Sequence, residues 1–203
     1  MKHKFTFILT GCIILMHSFA VPSQSCVGRI LTISVNNSIE QKVIGQLLAT
    51  YITERTGTTV NMTTGLDVKA SEEQIKQCQA DIFINYLNVG LTNMDSTDKN
   101  ENAQEAYALV KQYYGEKFDM VWLKPLGYNG RLLKDTDKAA DNASLAIPVT
   151  TREVLNRFPV LDRVINNLSG RIDERTLQQL ILETETKEIA VIVKDFLKNQ
   201  NLI

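Results

Sequence analysis

The sequence predicts an α/β fold built on a parallel sheet, and three observations carry that expectation. Four apolar, β-branched runs, "RILTISV" (29–35), "TTVNMTTG" (58–65), "ADIFINYL" (80–87) and "DMVWLKPL" (119–126), read as strands. Helical stretches lie between them, and strand–helix–strand alternation of this kind folds as βαβ units. The composition, 44% hydrophobic and 22% charged over 203 residues, supports one packed domain.

Each element has its own signal. After the first strand, Ile39, Val43, Ile44, Leu47, Leu48, Tyr51 and Ile52 recur at helical spacing. Ser38 with Gln41 three residues on reads as a capping box, and Gly57 as the stop. "SEEQIKQC" (71–78) predicts a short helix with acidic residues in its first turn. Residues 92–101 read as polar loop, and "AQEAYALVKQYYG" as a helix closed by Gly115. "RLLKDTDKAADNASLAIP" (131–148) is a polar bridge without a periodic apolar face, although "SLAIPV" at its end predicts one short strand. Four helices follow, at 151–157, 158–169 (closed by Gly170), 174–182 and 186–199. The last of these carries Ile189, Val193, Phe196 and Leu197 on one face.

The N-terminus reads as a secretory signal peptide over residues 1–20: Lys2 and Lys4, then "FTFILTGCIILM", then "SFA" before a cleavage point, with a second option near residue 25. "LTGC" ending at Cys12 resembles a lipobox, so lipid anchoring is the lesser alternative to free export to the periplasm. The domain proper then runs over 27–203. Both histidines, His3 and His17, leave with the signal, which excludes His-based nucleophile systems and His metal sites. Loss of Lys2 and Lys4 takes the formal charge from −1 to −3. A mildly acidic chain is a poor partner for nucleic acid. Cys26 and Cys78, an even number in an oxidising compartment, predict a disulfide, with two unpaired thiols as the alternative.

Ligands of open α/β sheets bind beyond the carboxyl ends of the strands. Here those ends carry Asn36, Asn37 and Ser38 with Glu40 close by, then Thr63, Thr64 and Gly65, then Tyr86, Asn88 and Gly90, then Tyr128 and Asn129. The set is amide-rich and aromatic, suited to hydrogen bonding and cation–π contact rather than acid–base catalysis. Asn37 and Ser38 equally serve as turn and cap residues, and Tyr86 equally packs the rim of the sheet. Trp122 reads as core, and Asp81 as a capping or paired carboxylate. No carboxylate pair or metal-spaced cluster points to an enzyme, and no cofactor is implied. If Tyr86 lines a cation site, Tyr86→Ala is expected to abolish ligand binding and leave the fold intact.

"ISVNNSIEQKVIGQLLATYITERTG", with its Asn37-Ser38-Ile39-Glu40-Gln41 turn, resembles the opening of the substrate-binding proteins of glycine betaine/choline/carnitine ABC importers. "ADIFINYLNVGLT" looks like that family's Asp-x-x-x-x-Tyr-x-Gly segment, through Asp81, Tyr86 and Gly90. "YYGEKFDMVWLKPLGYN" is similar to the segment leading to the crossover between lobes, and the stretch from "FPVLDRVINNLSGRIDERTLQQLI" to the end is similar to the helices that return to the first lobe. The resemblance implies a type II periplasmic binding protein fold, a quaternary ammonium ligand and an ABC permease partner. In such proteins a second lobe of domain size stands where 131–148 stands here. The expectation is therefore a three-layer α/β/α single lobe with the second lobe missing and 131–148 as its connector. One lobe offers half a ligand cage and no closure, so capture is expected to be weak or to depend on a homodimer. Where the family has an aromatic after the fourth strand, this chain has Asn129-Gly130-Arg131-Leu132, and a cation there opposes a trimethylammonium group. The competing reading is a single-lobe protein-interaction module that has lost small-molecule binding, marked by an apolar patch where the second lobe would dock.

Overall fold

The computed structural model describes residues 30–65, 67–94, 102–130 and 144–203. The signal segment, Cys12, Cys26 and Arg131 lie outside the described residues, as does most of the 131–148 bridge. So does one partner of the expected Cys26–Cys78 bridge; Cys78 itself is half-buried at φ 55°.

Strand β1 (Ile30–Ser34) leads into helix α1 (Ile39–Thr56). The Ser38 hydroxyl accepts from the Gln41 amide at 3.2 Å, and Gly57 closes the helix in the left-handed region at φ 70°. Only half of the capping box forms, because the Gln41 side chain turns inward to Tyr86 instead. Strand β2 (Thr59–Thr63) lies at the sheet edge and is half exposed. Helix α2 (Val68–Lys76) starts earlier than expected because Asp67 caps it, accepting from the Ala70 amide at 2.6 Å. Glu72 and Glu73 therefore sit past its first turn and pair with Lys76, each at 3.0 Å.

Strand β3 (Ile82–Tyr86) is buried throughout. A helix, α3 (Leu87–Asn93), follows at once where a strand end was expected. Its Gly90 explains the miss: glycine is a poor helix former, but a Cβ here would come within 2.6 Å of the Trp122 ring. Helix α4 (Ala103–Phe118) runs through Gly115 and stops at Asp119, in the left-handed region at φ 56°. Strands β4 (Met120–Trp122), β5 (Asn129–Gly130) and β6 (Ser144–Thr151) complete the sheet. Helices α5 (Arg152–Arg157), α6 (Leu161–Asn166), α7 (Glu174–Glu183) and α8 (Ile189–Asn199) end the chain close to their expected places.

The strand order is β2-β1-β3-β6-β4, with β5 beside β6. β1 is parallel to β2 and β3, but β6 is antiparallel to both β3 and β4. Two expectations are corrected. The sheet is mixed rather than parallel, because a strand from after the bridge enters between β3 and β4 and runs antiparallel to both. Residues 144–148 belong to that central strand and not to the connector.

Pro148 occupies a central strand, where a missing N–H ordinarily breaks a ladder. The Leu123 amide donates to the Pro148 carbonyl at 3.0 Å, as in a hydrogen-bonded antiparallel pair. The return donor would be the amide that proline lacks. The Tyr107 hydroxyl supplies it, donating to the Leu123 carbonyl at 2.8 Å.

Side chains alternate across the sheet into two cores. Ile82, Ile84 and Tyr86 join the layer of α1, α6, α7 and α8, while Phe83, Ile147, Val149 and Trp122 join that of α3 and α4. The chain is thus a three-layer α/β/α lobe. At its amino-terminal edge Asp81 binds several elements together. Its carboxylate pairs with Arg157 of α5 and accepts from the Thr32 amide at 2.7 Å, and its carbonyl accepts from the Thr150 hydroxyl at 2.8 Å. Asp81 is therefore a paired, structural carboxylate. No helix among the described residues is long and apolar enough to cross a membrane.

Candidate functional site

The carboxyl ends of the strands meet above the start of α1. Asn36 accepts from the Ser38 amide at 2.8 Å, and Ser38 caps α1, so both side chains serve the turn that aims the helix. Asn37 is exposed, and its side-chain nitrogen lies 3.8 Å from where a Cβ on Gly65 would stand. The ends of β1 and β2 thus form one exposed amide rim, with Gly65 in the left-handed region at φ 98°.

Tyr86 ends β3 pointing toward α1. Its hydroxyl accepts from Gln41 Nε2 at 2.8 Å and donates to Glu40 Oε1 at 3.0 Å. Burial, followed by the Glu40 charge, holds this phenol well above its ordinary range. The ring lies against Gly130, where a Cβ would be 1.8 Å from Tyr86 Cε1. Only 2% of Tyr86 is exposed. Truncating it would open a cavity under β5, which corrects the expectation that Tyr86→Ala leaves the fold intact.

Tyr128 is 1% exposed, and its hydroxyl has no hydrogen-bond partner. Burial raises this phenol well above its ordinary value, and the charges of Tyr86, Glu40 and Glu174 add to the shift. Asn129 is exposed on β5, paired with Leu145. Asn88 and Gly90 lie in α3; the Asn88 amide donates to the Ser144 hydroxyl at 2.8 Å, and Gly90 packs on Trp122. Trp122 is fully buried beside Tyr114, with ring centres 5.1 Å apart, so it is core as its sequence position suggested.

The structure therefore brings Glu40, Tyr86 and Tyr128 together and sets Asn37 beside Gly65. Sequence reasoning missed Gln41, Gly130 and Glu174. Gln41 reads in the sequence as a capping partner, Gly130 as a neighbour of Asn129, and Glu174 carries no signal beyond opening a helix. Two phenols, carboxylates and exposed amides can recognise a small cationic or zwitterionic solute. Among the described residues no group of side chains has a metal-binding arrangement.

Residues 30–132 match the family described as the substrate binding domain of ABC-type glycine betaine transport systems. A carnitine transport binding protein, OpuCC of Listeria monocytogenes, is 36% identical over 76 residues, which is 36% of this chain and 24% of the relative. The chain thus spans about a quarter of the length of the curated relatives it matches. A solved glycine betaine/carnitine/choline ABC transporter structure superposes with a TM-score of 0.74 at 16% identity, over 85% of this chain and 99% of that one. Apo YehZ of Escherichia coli does so with a TM-score of 0.74 at 14% identity, over 87% of this chain and 100% of that one. Lactococcal OpuAC, solved with glycine betaine in a closed form, gives 0.52 at 9% identity, over 86% of this chain and 97% of that one. At these identities the structural likeness speaks for the fold alone.

Proposed function

Since the chain belongs to the substrate-binding family of ABC-type glycine betaine transport systems, we propose that it is an exported, non-enzymatic solute-binding protein that captures small ammonium solutes, quaternary ones included, for an ABC permease. The observation that carries this reading is the cluster at the sheet's carboxyl end, where Glu40 is bonded to Tyr86 with Tyr128 close to both, and where Asn37, Gly65 and Asn129 are exposed at the ends of their strands. On this reading, residues 1–20 address the chain to the periplasm, the part of the bridge that precedes β6 stands in for the second lobe, and Cys26 bonds Cys78. A single lobe cannot close on its ligand, so the monomer binds weakly, with Kd on the order of 0.1–1 mM. A second copy facing the first would supply the missing wall and tighten capture.

The interaction-module reading draws support from Ile39, an apolar side chain 41% exposed on the first turn of α1, at the same end of the sheet. Calorimetric titration with glycine betaine, choline, carnitine and proline betaine, with the mass in solution measured alongside, separates the two. Saturable heat with at least one solute supports capture. No heat at millimolar solute sinks it and favours the interaction module.

A further inference from the structure

Strand β2 is an outer strand of the sheet, paired only with β1 among the described residues. The Val35 amide donates to the Thr63 carbonyl at 2.9 Å, and Thr63 registers with Ser34 in a parallel ladder. In such a ladder alternate residues turn their N–H and C=O groups toward the neighbouring strand. Thr59, Asn61 and Thr63 therefore bond β1, while the main-chain groups of Val60 and Met62 point out of the sheet. The side chains follow the same alternation. Val60 and Met62 pack on the core beneath α1, and Thr59, Asn61 and Thr63 are exposed on the other face. Natural sheets protect such an edge with charges, proline or a very short strand. The opposite edge is protected in this way. β4 has 3 residues, is bounded by Asp119 and by Lys124-Pro125, and has its Trp122 carbonyl covered by the Tyr107 hydroxyl at 3.2 Å. β2 is not. "GTTVNMTTG" (57–65) holds no charge and no proline, and it reads the same in both directions about Asn61 except that Val60 mirrors Met62.

We propose that β2 is a self-association edge: it pairs antiparallel with β2 of a second copy across a twofold axis at Asn61, so that one sheet runs through both chains. In this register Val60 faces Met62 of the second copy as a hydrogen-bonded pair, and the two exchange the main-chain bonds that each directs outward. Thr59 faces Thr63, a cross-strand pairing that adds to stability, and the two Asn61 side chains meet on the axis. The charges outside the glycines agree with the antiparallel direction. Each copy exposes Glu54 and Arg55 before the amino end of β2, and Asp67 and Lys69 after its carboxyl end. Antiparallel pairing brings Arg55 toward Asp67 of the second copy and Glu54 toward Lys69, whereas parallel pairing would set each charge beside its own kind. Antiparallel pairing also sends the two sets of strand ends in opposite directions. The interface therefore differs from a copy facing the site, and it does not rest on solute capture.

The test is the mass of the full chain in solution over micromolar to millimolar concentration, for the parent and for Asn61→Lys and Asn61→Glu. The parent should pass from one chain to two within this range. Residue 61 is exposed, so either change should leave the lobe folded, and unfolding midpoints check this. Like charges directly opposite each other oppose strand pairing, so each variant alone should associate ~10-fold more weakly than the parent. An equimolar mixture of the two should regain the parent's affinity or exceed it. In the associated parent the Val60 and Met62 amides should exchange with deuterium more slowly than on dilution. A parent with the mass of one chain throughout would overturn the inference. So would association that neither variant weakens, which would place the contact elsewhere, or that the mixture fails to restore. Slow exchange at Val60 and Met62 in a chain that stays single would mean that another part of the same chain covers this edge, and would overturn it as well.

Discussion

Tyr86 ties the end of β3 to the first turn of α1. Its hydroxyl both accepts from Gln41 and donates to Glu40, and its ring is covered by Gly130. Tyr86→Phe leaves buried Gln41 without an acceptor and should lower stability by ~1–3 kcal/mol in urea unfolding. Tyr86→Ala should lower it by ~3–5 kcal/mol, because the ring's volume is also lost. Burial also pushes Tyr114 up to about 12, and it raises Tyr86 and Tyr128 as well. A phenol held above its unfolded value near pH 10 keeps its proton in the fold while the unfolded chain loses it. Stability is therefore full below pH 10 and falls above it, by ~1.4 kcal/mol per pH unit for each such tyrosine. Unfolding midpoints measured from pH 8 to 11.5 should be level and then decline; a level profile throughout would contradict the burial of these phenols. Glu40, Tyr86 and Tyr128 were each legible as residues near strand ends. Their closeness was not, because it depends on Gln41 forsaking its cap and on a glycine that lets the ring in.

At the scale of elements, the strands and helices announced themselves by periodicity and caps, but the direction of β6 did not. "SLAIPV" has the apolar content of a central strand, and nothing in its pattern says which neighbours it separates. Its proline argues against a central place, and the contrary signal, a hydroxyl on α4, lies forty-one residues earlier. Tyr107→Phe should lower stability by ~1 kcal/mol, since the Leu123 carbonyl loses its donor. In a Pro148→Ala background the same change should cost less, because the restored amide faces that carbonyl; equal losses in both backgrounds would refute the substitution of one donor for the other. The Asp81–Arg157 pair belongs to the same scale. Asp81→Ala strips the partner from Arg157 and from the Thr32 amide at once, and should lower stability by ~3–5 kcal/mol. A loss under about 1 kcal/mol, typical of an exposed pair, would contradict its role as a tie between β1, β3 and α5.

For the whole molecule, the segment after the bridge completes the lobe, because β6 fills the sheet between β3 and β4 and α8 packs on α1. A chain ending at residue 130 should therefore show no cooperative unfolding transition, and a sharp one would contradict this topology. The family and the single-lobe architecture were legible in the order of four segments along the chain. The site was legible only as an end of the sheet, since which side chains face solvent there depends on packing. The central claim is that this end of a lone lobe captures ammonium solutes. The most direct measurement is the amide NMR spectrum of the labelled protein titrated with choline and with ethanolamine. The account predicts saturable shifts at Asn37, Ser38, Gly65, Tyr128 and Asn129. Shifts confined to the α2–α4 face, or none at millimolar solute, would contradict it.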